Sequence, residues 1–241
     1  MKGLKYYALG LAAVLMLNSC GMSNTAKGGL IGGSSGAALG AALGALIAKS
    51  GNKGKWAGIA GGIGAVAGTA AGLIIGKKMD NAKKAAEAVA NAKVEDATDA
   101  NGYQAVKVTF DSGILFQSGK AILNASAQSS LQQFAKNVLV PNGDMNVGIV
   151  GYTDNDPWKG YTAEQSVQKN LELSQQRAQA VSTFLQQQGA AASQITEVAG
   201  LGESNPVADN STAAGKQQNR RVEVYLYASQ AMIDAANAQS N

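Results

Sequence analysis

Residues 147–158 read VGIVGYTDNDPW. Val147 and Ile149 step by two, the period of a half-buried strand, because successive strand side chains point to opposite faces of a sheet. The run stops in Asp154 and Asp156 just before Pro157, so the strand feeds an acidic turn. Two other runs share the period: Val106, Val108, Phe110, and Val222, Val224, Leu226. A shorter one spans residues 195–199. Between them, Leu123, Ala127, Leu131, Phe134 and Val138 keep helical spacing, as do Leu171, Ala178, Val181 and Leu185. Alternating strands and helices predict an α/β domain over residues 102–228, with helices packed on one face of one sheet. The two aspartates raise a separate question, turn chemistry or site.

Charge divides the chain. Residues 1–79 hold eight lysines and no acid; residues 80–241 hold 12 Lys+Arg against 16 Asp+Glu, so the formal +4 is +8 in front and −4 behind. The forward charge flanks apolar segments and no Arg precedes Arg177, which argues against nucleic acid as a partner. The chain has no His, which excludes Ser-His-Asp and HExxH chemistry, and Cys20 is its single cysteine, which excludes an internal disulfide or a thiolate metal cluster. No metal, cofactor or catalytic residue is expected, and the chain reads as a non-enzyme.

The first twenty residues, MKGLKYYALGLAAVLMLNSC, place Lys2 and Lys5 before an apolar run from Tyr6 to Leu17 that is shorter than the ~20 residues of a spanning helix. Leu17-Asn18-Ser19-Cys20 resembles the lipobox of bacterial lipoproteins. That resemblance implies a signal peptide over 1–19 and a lipidated N-terminus over 20–27, with palmitate-type acyl chains on Cys20 in the outer membrane. Residues 28–76 then carry 16 of the 30 glycines, with Gly28, Gly32, Gly36, Gly40 and Gly44 four apart and Gly58, Gly61, Gly68, Gly72 and Gly76 on one helical face. Small residues at that spacing let helices approach closely. Arms of 21 residues, 28–48 and 56–76, would each reach ~31 Å as helix. A two-helix transmembrane hairpin over 28–78 is the expectation, and a glycine zipper forming homo-oligomers without crossing the membrane is its rival. GGIGAVAG, residues 61–68, imitates a dinucleotide fingerprint, but no strand precedes it. The Ala- and Lys-rich stretch 79–101 reads as a solvated helical linker, and 229–241 as a tail.

Four separated motifs carry a family resemblance. They are Gly151-Tyr152-Thr153-Asp154, Asn170-Leu171-Glu172-Leu173-Ser174-Gln175-Gln176-Arg177-Ala178, Gly200-Leu201-Gly202-Glu203-Ser204-Asn205-Pro206, and Asn219-Arg220-Arg221-Val222-Glu223. Together with VTFDSGILFQSGKAIL, residues 108–123, they look like the OmpA-like peptidoglycan-binding domain in its usual order. The resemblance implies a mixed sheet with helices on one face, in the periplasm, binding the diaminopimelate-type stem peptide of peptidoglycan and tethering the outer membrane to the wall. It matches Asp154 to the aspartate that pairs with the ligand's ammonium and Arg177 to the arginine that forks onto its carboxylate. Asn219, Arg220, Thr153 and Asn170 fall at further site-lining positions, and Phe110 to Phe116 at the rim. Such a division of labour suits a zwitterion, since guanidinium grips a carboxylate through two parallel hydrogen bonds. The alternative is an oligomeric scaffold or assembly factor positioned by its wall-binding domain. Three departures stand out: Tyr152 where the family often has His, Lys216 where it often has Arg, and an insertion at 155–170 that contains Trp158, Lys159 and Tyr161. That loop either covers the ligand or packs on its own domain. Asp156, inside the insertion, keeps the turn explanation.

Overall fold

The computed structural model describes residues 69–99, 102–117 and 119–239. The signal peptide, Cys20, the first glycine-rich arm and most of the second lie outside the described residues. The elements are α1 Ala70–Glu87, β1 Ala92–Thr98, β2 Gln104–Asp111, α2 Ser112–Leu115, α3 Ala125–Phe134, β3 Met145–Gly151, α4 Ala163–Gln187, β4 Ile195–Gly200, α5 Ala213–Asn219, β5 Arg221–Ala228 and α6 Gln230–Gln239.

The sheet order is β1-β2-β5-β3-β4. β5 lies between β2 and β3 and is antiparallel to both, whereas β3 and β4 run parallel, with α4 as the crossover between them. The sheet is therefore mixed. Every residue of β5 is buried, which fits its apolar and aromatic side chains from Val224 to Ala228 and requires the two charges before them, Arg221 and Glu223, to pair with each other. Val222, Val224 and Leu226 join Val106, Val108, Phe110, Val147 and Ile149 in one core cluster, as their period of two requires. Phe134 meets Phe110 edge-on at 5.7 Å. Asn124 caps α3 by accepting a hydrogen bond from the Ala127 N–H at 2.8 Å, so Leu123 stays in an extended bridge with Phe116. At α4, Thr162 and Gln165 form a reciprocal capping box.

Two stretches differ from expectation. The predicted linker 79–101 contains the second half of α1 and all of β1. α1 buries Ala71, Ile75, Met79, Ala82 and Ala86, a stripe at helical spacing, against β2, β1 and α6. The helix ends at Glu87, Asn91 adopts a positive φ of 62°, and the chain returns as a strand with Val94 opposite Val108. Ala- and Lys-rich composition favours helix locally, but the open edge of β2 supplies ladder hydrogen bonds that override it. The predicted tail likewise forms α6, which buries Met232, Ile233 and Ala236 and contacts α1.

The same packing bears on the glycine-rich segment. Residues 70–76, the end of the second predicted arm, belong to α1, and Ala71, Gly72 and Ile75 are buried there. The end of the second predicted arm is therefore part of the domain and not of a membrane-spanning segment. Among the described residues no helix is long and apolar enough to cross a membrane.

Candidate ligand-binding site

The site forms where β3 ends. The Tyr152 N–H donates to the Arg221 carbonyl at 2.9 Å and the Thr153 N–H to the Gly202 carbonyl at 2.9 Å, so the strand end is held between β5 and the 201–212 loop. Asp154 follows, only 6% exposed. Its Oδ1 accepts the Asp156 N–H at 3.2 Å, and its Oδ2 is ion-paired with Arg220 Nη1.

Arg177 reaches the site from the middle of α4 and is 4% exposed. Its Nε donates to the Lys120 carbonyl at 3.1 Å and its guanidinium lies 5.2 Å from the centre of the Phe116 ring. Among the described residues it makes no salt bridge. Burial pushes its pKa down to about 10; the negative charge of Asp154 opposes that shift and the positive charge of Arg220 adds to it. The domain thus holds a desolvated cation close enough to Asp154 to feel its charge, yet pairs Asp154 with a different arginine.

The other expected residues divide by role. Asn170 donates to Glu203 Oε2 at 3.2 Å and to the Asp154 and Asp156 carbonyls at 3.4 and 3.3 Å, while its Oδ1 accepts from Trp158 Nε1 at 2.8 Å. It fixes the turn that carries Asp154. Asn219, fully buried, accepts the Val207 and Ala208 N–H groups at 2.8 and 3.0 Å and donates to the Ala208 carbonyl and Asn210 Oδ1, so its amide staples the 207–210 loop. Thr153 Oγ1 is buried and has no hydrogen-bond partner among the described residues. Phe116 lines the site, whereas Phe110 faces the core, 1% exposed.

Within the insertion, Trp158 folds back on the first turns of α4. The Trp158 indole bonds Asn170, and its backbone N–H donates to Ser166 Oγ at 3.0 Å. Tyr161 stays 48% exposed, with Lys169 Nζ 5.8 Å from its ring centre. Asp156 does more than end a turn: Lys216 Nζ on α5 reaches its Oδ1 at 2.6 Å and ties the loop across to the other side of the site.

Behind the site lies a buried polar cluster that individual residue patterns did not announce. Arg221 stacks 3.7 Å from the Tyr152 ring centre, donates from Nε to Glu223 Oε1 at 2.8 Å, and bonds the Asn219 and Asn205 carbonyls at 3.3 and 3.2 Å. Tyr225 donates to Glu223 Oε2 at 2.6 Å. Burial first, and the charge of Glu223 second, raise the Tyr152 phenol well above its usual value, which keeps it neutral. One guanidinium therefore joins β3, β5 and the loop after β4 directly beneath Asp154 and Arg220.

Two glycines set the distance of α4 from the sheet. A Cβ on Gly151 would lie 2.2 Å from the Ser174 carbonyl oxygen, and one on Gly200 would lie 2.2 Å from the Gln175 nitrogen. Only glycine allows that approach, and it delivers Asn170 and Arg177 to the end of β3.

Residues 115–220 match the model of the OmpA family. The chain carries an OmpA-family domain. Its relatives include the outer-membrane lipoprotein YfiB of Pseudomonas aeruginosa, 38% identical over 115 residues that cover 48% of this chain and 62% of YfiB. The peptidoglycan-binding protein ArfA of Mycobacterium tuberculosis is 43% identical over 83 residues, 34% of this chain and 23% of ArfA. The chain spans about half the length of the curated relatives it matches. Among solved structures, a MotB-like protein of Desulfovibrio vulgaris superposes with a TM-score of 0.52 at 21% identity, covering 66% of this chain and 92% of that one, and shares the fold of the OmpA-family domain. All six expected site positions of the domain except Arg220 and Asn219 sit on or beside the β3 turn and α4; those two come from the end of α5 and its junction with β5.

Proposed function

We propose that the OmpA-family domain binds the stem peptide of peptidoglycan through its diamino acid, with Asp154 taking the ammonium and Arg177 the carboxylate, and that the protein is a non-catalytic tether between outer membrane and wall. The observation that carries this reading is Arg177: a charged guanidinium 4% exposed, bonded only through Nε among the described residues, and without a carboxylate of its own. Burying an unpaired charge is costly, so a site that keeps one is built for an anion that arrives from outside. In the ligand-free state Arg220 holds Asp154 in place; an ammonium then replaces or shares that contact. The names of YfiB and ArfA support an envelope lipoprotein and a wall ligand respectively. Lipidation of Cys20 would place the domain in the periplasm, on the inner side of the outer membrane.

The test is sedimentation of the full-length, detergent-solubilised protein with purified sacculi. The wild type is expected in the pellet and Asp154→Ala in the supernatant, with an unchanged circular dichroism spectrum. Equal pelleting of both proteins would overturn the site.

A second reading adds self-association through residues 28–68. It is favoured by the packing of residues 70–76 into the domain, which takes the end of the second arm out of the predicted spanning segment. Chemical cross-linking of the full chain should give ladders beyond the dimer that vanish when residues 28–68 are deleted; ladders that persist in the deletion would refute it.

A further inference from the structure

Beyond the Lys120 carbonyl that holds Arg177, a groove of about 670 Å³ opens between α4, the chain at 121–123 and the exposed side of α3. Its floor is apolar, formed largely by Ile122, which is 58% exposed, and half-buried Phe184. Its α4 rim presents Gln176, Gln179, Thr183 and Gln187, all exposed. No lining residue carries a charge. The Gln179 amide reaches only Thr183 Oγ1, at 3.5 Å, so this rim is weakly occupied by its own hydrogen bonds.

The chemistry narrows the occupant. Neutral amides and a hydroxyl above an apolar floor suit a ligand that is itself neutral, rich in hydroxyl and amide groups, and apolar on its ring faces. N-acetylated pyranose sugars have that combination. A protein partner would call for Trp, Tyr or Arg anchors, and the lining offers one half-buried Phe. Position gives the second argument. Gln176 precedes Arg177 and Ala121 follows Lys120, so the groove begins where the Arg177 subsite ends, and Gln176 to Gln187 extend it by ~16 Å of helix. We infer that this groove holds the N-acetylated glycan to which the bound stem peptide is attached, making the domain a reader of sugar and peptide together. The inference rests on the Asp154–Arg177 reading.

The experiment is calorimetric titration of the full-length protein with two probes, a diaminopimelate-containing tetrapeptide free of sugar and the same tetrapeptide on its N-acetylated disaccharide. Wild type is expected to bind the disaccharide-peptide about five- to tenfold tighter, the worth of one or two net hydrogen bonds. The double variant Gln179→Ala/Thr183→Ala, at exposed helix positions where Ala is well tolerated, should bring the two probes to equal affinity and leave the sugar-free peptide unaffected. Equal binding of both probes by wild type overturns the inference, as does a double variant whose affinities match the wild type, the result expected if the groove serves a protein. If the sugar-free peptide fails to bind wild type while the disaccharide-peptide does, the glycan contact stands and the Asp154–Arg177 assignment falls. If neither binds, both fall.

Discussion

Arg177→Leu is expected to abolish sedimentation with sacculi and yet leave the domain as stable as the wild type or more so. Truncating one partner of a buried, hydrogen-bonded charge pair costs about 2–5 kcal/mol of binding, or roughly 30- to several thousand-fold in affinity. Stability moves the other way. Burial lowers the guanidinium pKa from its ordinary value to about 10 on folding. At ~1.4 kcal/mol per unit, burying the charge costs the free domain on the order of 3 kcal/mol. The sign follows from linkage: a base with a depressed folded-state pKa binds its proton more tightly when unfolded. The cost is therefore fully present at every pH below about 10 and is relieved only as pH rises past it. Leu keeps apolar contact with Phe116 and removes the charge. Urea denaturation from pH 5 to 9 should show a variant with equal or higher stability by a constant margin, beside lost binding. A variant that pellets with sacculi like the wild type would show that the arginine serves only the fold.

Glu223→Gln is expected to destabilise the domain by about 3–5 kcal/mol, because it leaves Arg221 buried without its counter-ion. Glu223 is 1% exposed and saturated by Arg221 at 2.8 Å and Tyr225 at 2.6 Å. Replacing both charges, Arg221→Met with Glu223→Leu, should recover much of that loss, though not the bonds Arg221 makes to the Asn219 and Asn205 carbonyls. Affinity separates the cluster's two possible roles. If Arg221 aligns β3, β5 and the 201–212 loop beneath Asp154 and Arg220, the double variant stays folded but binds wall peptide more weakly. Wild-type affinity in a folded double variant would confine the cluster to stability. Equilibrium denaturation and titration with the stem peptide supply the two readouts.

Particular residues show how far the sequence could be read. The period-two runs at 106–110, 147–149 and 222–226 became β2, β3 and β5, since burial on a sheet imprints alternation whatever the partner strand. Asp154 and Arg177 were legible through motif order, and the structure brings both to the end of β3. The same order carried Asn219, whose buried amide is bonded throughout to the 207–210 loop; its identity reveals nothing about which groups it bonds. Local composition favoured helix over 92–98, and only the free edge of β2 made it a strand. The stripe Ala71, Ile75, Met79, Ala82, Ala86 was visible, but the glycine period running into it had assigned its first turns elsewhere.

The amino-acid sequence by itself determined the α/β class, the OmpA-family domain, the exclusion of histidine chemistry, and the motif order on which the proposed roles of Asp154 and Arg177 rest. Those are properties of residue type, period and order. Tertiary structure alone decided that α1 and β1 belong to the domain and that Lys216 is latched to Asp156. It also decided that Arg220, not Arg177, neutralises Asp154 in the free protein. Each is a choice among partners far apart in the chain, and such choices are set by which charges and apolar faces the fold brings within a few ångströms.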